Sequence, residues 1–181
     1  MSDETSPVAF EANVLRLPGK GMPVSIEADE EQRRALANAH HLVEVKNFHA
    51  DLLVENWKRD GVKVTGRVKA QIVQSCIVSL EPLDAEVDEE VHALFVPEGS
   101  KLMRPDAIEG GEMILDAEGD DGPEPFSGDT IDVGQLAEEF FALGIDPYPR
   151  KAGAQPVAPA ADPNADRGPL YEQLKALKRD G

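Results

Sequence analysis

Alternation of apolar and polar residues in the middle of the chain predicts a β-meander. Across Val62–Leu80 the apolar residues Val62, Val64, Val68, Ala70, Ile72, Cys76, Val78 and Leu80 share one parity, interrupted by Gly66 and Gln74, so an extended strand would carry them on one face. An earlier run, His41–Trp57, holds Leu42, Val43, Val45, Phe48, Leu52, Leu53 and Val54. Between the two lies Lys58-Arg59-Asp60-Gly61, and an Asp-Gly step between β-like runs is a strong hairpin signal. After Pro82, the residues Ala85, Val87, Val91, Ala93, Phe95 and Pro97 again share a parity. They predict a third antiparallel strand that ends at the proline.

The flanks read as shorter elements. Val8–Leu15 approaches alternation before the break Leu17-Pro18-Gly19-Lys20-Gly21, which suggests a first strand and a turn. Asp29, followed by Glu30 and Glu31 and then by Arg33 and Arg34, predicts a capped helix with charges matched to its dipole. Asp132 is a second N-cap, ahead of the helical spacing Val133, Leu136, Ala137, Phe140, Phe141, closed by Gly144 and Pro147. From Glu98 to Asp129 the periodicity fades except at Met113, Ile114 and Leu115, so one short strand inside a long mobile loop is expected there. The pattern therefore predicts an α+β domain over residues 1–150: an antiparallel sheet of roughly four to five strands with flanking helices. Closure of that sheet into a barrel is not decided by the pattern. Residues 151–166 read as a Pro/Ala-rich linker, and 167–181, with Leu170, Leu174 and Leu177, as a short amphipathic helix.

Charge adds a regional asymmetry. The net charge is −17, and between Glu81 and Asp132 there are 17 acids against two bases, Lys101 and Arg104. Such a surface repels phosphate backbones and attracts cationic partners. Asp116, Glu118, Asp120, Asp121 and Glu124 are the candidate contacts to a basic protein. The hairpin is different in sign: Trp57, Lys58, Arg59 and Arg67 are candidate RNA contacts, since bases can meet phosphates while an aromatic ring stacks.

Reactive chemistry has little support. His40, His41, His49 and His92 are scattered, and one thiol is too few for a structural zinc site. The single cysteine cannot form an internal disulfide, and no secretory leader opens the chain, which fits a reducing cytoplasm. No apolar run is long enough for a membrane helix. Cys76, on the apolar parity, is expected to be a buried, inert thiol. No phosphate-binding loop or nucleophile motif occurs, so neither enzyme activity nor a cofactor is expected.

Three blocks carry a resemblance. Val68–Pro82 contains Cys76, Glu81 and Pro82; Asp129–Val133 leads through Glu138 and Glu139 to the stop at Pro147-Tyr148-Pro149-Arg150; Gly168–Lys178 forms the end. In order and approximate spacing they resemble the YceD-like family, the large ribosomal RNA subunit accumulation proteins, in its α-proteobacterial type. Some members have C-x-x-C in the first block. Here the second position is Ser79, so a metal role is not carried over, and Leu170 follows Pro169 where members often have phenylalanine.

The resemblance implies a cytoplasmic role in accumulation of 23S ribosomal RNA and in ribosome biogenesis, without supplying a mechanism. It marks Cys76, Glu81, Pro82, Asp132, Glu139, Pro147 and Pro149 as signature positions without catalytic roles. The expected partner is a precursor of the large ribosomal subunit, met through a basic ribosomal protein. The alternatives are direct rRNA binding by the 46–69 hairpin and, last, a metal-dependent RNA-processing enzyme using the central carboxylates. Oligomeric state is not encoded in any pattern found.

Overall fold

The structure, a computed structural model, describes residues 5–100, 102 and 122–154. Its elements are β1 (Glu11–Asn13), β2 (Met22–Glu27), α1 (Glu30–Ala39), β3 (Glu44–Trp57), β4 (Gly61–Ser75), β5 (Pro82–Pro97), β6 (Glu124–Phe126), β7 (Thr130–Asp132) and α2 (Val133–Leu143). Five strands form one sheet in the order β2-β3-β4-β5-β6, and β1 pairs with β7 in a small second sheet.

The predicted meander is the spine of this sheet. β3 and β4 form the expected hairpin, β4 and β5 are antiparallel, and the shared parity buries Val62, Val64, Val68, Ala70, Ile72, Val87, Val91 and Phe95 on one face. Both helices cover that face. α1 contributes Leu36 and Ala37, α2 contributes Leu136, Ala137 and Phe141, and all belong to one apolar cluster. Phe141 meets the rings of Phe48 and His40 edge-on, at 5.5 and 5.3 Å between centroids. Gly66 is required where β3 and β4 approach closely, because a β-carbon there would collide with the Asp51 carbonyl oxygen.

Both caps are formed as the sequence implies. Asp29 accepts from the Gln32 amide while the Gln32 side chain accepts from the Asp29 amide, the reciprocal capping box. Asp132 accepts from the amides of Gly134 and Gln135 and also from Phe10, which ties the N-terminal segment to the start of α2.

Several expectations are corrected. The large sheet is mixed: β6 runs parallel to β5, with Phe95 opposite Glu124. The long connection after Pro97 makes this possible, since a parallel return needs a crossover rather than a tight turn. The sheet is open and forms no barrel. The first run yields only β1, which pairs with β7 instead of the large sheet, while the edge strand there is β2, paired with β3 from Met22 to Glu27. β4 ends at Ser75, so Val78 and Leu80 lie in the following turn, with Leu80 exposed at φ 59°. Within 98–129, expected as a loop, β6 occupies Glu124–Phe126. The expected strand at 113–115 and the elements after residue 154 lie outside the described residues.

Candidate functional site

Signature positions far apart in sequence meet at the turn between β4 and β5. The Cys76 amide donates to the Glu81 carbonyl and the Leu80 amide to the Cys76 carbonyl, which closes the turn. The chain beyond α2 then packs across it: the Ile77 amide donates to the Pro149 carbonyl at 3.0 Å, and the Lys151 amide donates to Cys76 Sγ at 3.3 Å. Nearby, Gln74 Nε2 donates to the Asp146 carbonyl. Glu81 accepts from Lys151 Nζ at 3.1 Å and from the Ser79 hydroxyl at 3.3 Å. Pro82 opens β5 opposite Ser75, and Pro149 is buried while Pro147 is exposed.

Cys76 is fully buried, as its parity implies. Its surroundings are nevertheless not neutral. The Lys151 amide, with Ser79 next, holds the thiol down from its ordinary 9.0 to about 6 against the opposing effect of burial, because N–H donors stabilise a thiolate. The Lys151 ammonium and the Ser79 hydroxyl likewise hold the Glu81 carboxyl below its usual range. Among the described residues no histidine is a hydrogen-bond partner of Cys76, whose Sγ accepts from the Ser79 and Lys151 amides. The arrangement locks two chain segments together. Lys151 and Gln74 were not singled out by sequence reasoning; Gln74 was visible only as the polar break in an apolar parity.

On the outer face of the sheet the hairpin bases are met by acids. Arg67 Nη1 lies 2.8 Å from Asp88 Oδ1, Lys69 Nζ 3.7 Å from Asp88 Oδ2, Lys63 Nζ 3.3 Å from Glu55 Oε2, and Lys46 Nζ 2.6 Å from Asp84 Oδ1. The pairs follow from register, since Lys69 stands opposite Asp88 and Lys63 opposite Glu55. β5 places Asp84, Glu86, Asp88 and Glu90 in succession on this face, and Glu27, Asp51 and Glu55 add three carboxylates from β2 and β3. With Glu44 of β3, opposite Val73 on the same face, eight acids stand against four bases. A shallow hollow of about 540 Å³ opens here between Lys46, Gln71, Asp84 and Glu86.

The four candidate RNA contacts are therefore split. Trp57, Lys58 and Arg59 sit at the hairpin tip, with Lys58 Nζ 4.3 Å from the Trp57 ring centroid in a cation–π contact, whereas Arg67 is engaged by Asp88 in mid-sheet. Of the candidate acidic contacts, Glu124 is exposed on β6; Asp116, Glu118, Asp120 and Asp121 lie outside the described residues. Asp132 is an N-cap, and Glu139 is exposed and accepts from Gln135. Among the described residues no three His, Cys, Asp or Glu side chains gather as a metal-binding group, and no helix is long and apolar enough to cross a membrane.

A protein-family model described as large ribosomal RNA subunit accumulation protein YceD matches residues 64–178, well over half of the chain. The chain belongs to this family. The match begins within β4 and takes in the Cys76 turn, β5, α2 and the segment that closes over the thiol. All the signature positions fall inside it. No curated protein and no solved structure matches the chain.

Proposed function

We propose that this YceD-family chain is a non-enzymatic assembly factor for the large ribosomal subunit, which supports accumulation of its RNA by holding a basic ribosomal protein. The observation that carries this reading is the acid excess on the outer face, which no helix covers among the described residues and where the bases of β4 are already matched by carboxylates of β3 and β5. What remains for a partner is anionic. A surface of that kind speeds encounter with cationic proteins and disfavours nucleic acid. The acid-rich stretch up to Asp132 extends the same sign of charge along the sequence.

A tagged full-length chain, used to capture purified ribosomal proteins, tests this. Basic ribosomal proteins are expected to bind at low salt and to be released as salt rises. Neutralising Asp116, Glu118, Asp120, Asp121 and Glu124 is expected to weaken capture further. Binding that ignores both salt and neutralisation would overturn the electrostatic reading.

Direct binding to rRNA is the second reading, favoured by the half-buried Trp57 with the exposed Lys58 over its ring and Arg59 beside it. Its surface is the hairpin tip alone, because Arg67 is paired within the sheet. RNA retention on a filter at low salt, abolished by Lys58→Ala with Arg59→Ala, would favour it over the protein partner.

A further inference from the structure

Among the described residues one side of β5 is unpaired along most of its length. β4 occupies one side from Pro82 to Phe95, whereas β6 reaches the other only at Phe95–Pro97 among the described residues. Two hydrogen bonds fix which backbone groups face which way. The Cys76 amide donates to the Glu81 carbonyl, and the Glu98 amide donates to the Phe126 carbonyl. Odd-numbered residues of β5 therefore turn N–H and C=O toward β4, and even-numbered residues turn theirs outward. The β4–β5 register runs without a shift from Val62↔Phe95 to Ser75↔Pro82, so this alternation holds down to Asp84.

The outward amides and carbonyls thus belong to Asp84, Glu86, Asp88 and Glu90, the same residues that set carboxylates on the outer face. Lys46 engages Asp84, and Arg67 with Lys69 engages Asp88. Glu86 and Glu90 are exposed and make no ion pair among the described residues. A row of acids on an open edge makes pairing with a second copy of the same strand repulsive. For an extended chain carrying Lys or Arg at alternate positions the same row is complementary, and strand addition would let main-chain hydrogen bonds supply affinity while the acids select charge.

We propose that the outer edge of β5 takes up an extended basic polypeptide segment by strand addition, pairing with the even-numbered backbone groups from Asp84 to Glu90 and setting cationic side chains against Glu86 and Glu90. This rests on the basic-partner reading above and gives that partner a conformation and a docking strand.

The probe is a synthetic peptide alternating lysine with valine, added to the full-length chain at low salt and followed by amide hydrogen exchange in NMR. In the free chain the amides of Glu86, Asp88 and Glu90 are expected to exchange quickly while those of Val87, Glu89 and Val91 are protected. The peptide should slow the first set. Glu86→Pro and Glu90→Pro each delete an outward N–H that β4 does not use, a change edge strands tolerate. They are expected to weaken peptide binding about tenfold or more with an unaltered circular dichroism spectrum.

Should either proline disturb folding, Glu86→Gln combined with Glu90→Gln is expected to weaken binding by a similar factor and to flatten its salt dependence. Unchanged affinity in the proline variants, or even-numbered amides already protected in the free chain because another part of it covers the edge, overturns the proposal. If those variants still capture ribosomal proteins, strand addition at β5 is wrong while the basic-partner reading stands; if the unaltered chain captures none, both fall.

Discussion

Along β4 the residues Val62, Val64, Val68, Ala70 and Ile72 are at most 3% exposed, while Lys63, Thr65, Arg67, Lys69 and Gln71, interleaved with them, stand on the opposite face, the first two partly and the last three well exposed. The inner set packs under α1 and α2 and is interchangeable in kind, since one aliphatic side chain meets several others. The outer set works pairwise, Lys63 with Glu55 and Arg67 with Asp88. The difference separates two kinds of information: an apolar face is defined by each strand's own periodicity, whereas a charged face acquires its character only when the neighbouring strand is in register.

The contrast breaks most readily at Phe141, which is fully buried and touches Phe48 from β3 and His40 from the end of α1. Phe141→Ala is expected to cost about 3–5 kcal/mol, the usual range for removing a core aromatic ring. Urea unfolding followed by far-ultraviolet circular dichroism measures it. A loss as small as that of an outer-face substitution would mean that the helices do not close the inner face tightly.

Much of the fold was legible for the reason that the inner face is local in sequence. The hairpin, the parity of β5 and both Asp caps follow from residues within a few positions of one another. β2 was not read from the sequence: Met22, Val24 and Ile26 alternate, but Pro23 and the strand's brevity hide the signal. Parallel pairing of β6 and the β1–β7 pair depend on contacts between remote segments, with no local signature. The candidate site divides along the same line. Burial of Cys76 follows from parity, but the Lys151 amide that shifts its thiol comes from 75 residues away, and the neutralisation of Arg67 by Asp88 needs the strand register.

A smaller effect is expected where the two helices meet at the inner face. Glu138 Oε1 lies 2.9 Å from His40 Nε2, with both side chains mostly buried. The His40 hydrogen bond, aided by the Ser6 hydroxyl, holds the Glu138 carboxyl below its ordinary 4.5 against the opposing effect of burial. A carboxyl whose folded-state value is depressed stabilises the fold above the unfolded value and loses that contribution as pH falls through the folded one. Glu138→Gln is expected to lower stability by about 1 kcal/mol at neutral pH, after allowance for partial solvent access. The gap in Tm between variant and unaltered chain should narrow as pH drops below 4.5. A gap that stays constant from neutral to acid pH would show that the ionised carboxylate is not what links α1 and α2.

The smallest change sharpens the comparison furthest. Arg67 and Asp88 are each about half exposed, at 48% and 49% of their side-chain surface, and a solvent-screened pair of this kind contributes less than about 1 kcal/mol. A double-mutant cycle of Arg67→Ala and Asp88→Ala, read by urea unfolding, should therefore give a coupling energy below that figure and leave Tm within a few degrees. Partner binding should respond in the opposite sense to stability: Arg67→Ala unmasks Asp88 and is expected to strengthen capture of a basic protein at low salt, whereas loss of an RNA contact would weaken RNA retention. Weaker capture of the basic protein by the Arg67 variant would mean that the outer face does not act through its acid excess, because removing a competing cation from an anionic docking surface can only raise its attraction for a cationic partner.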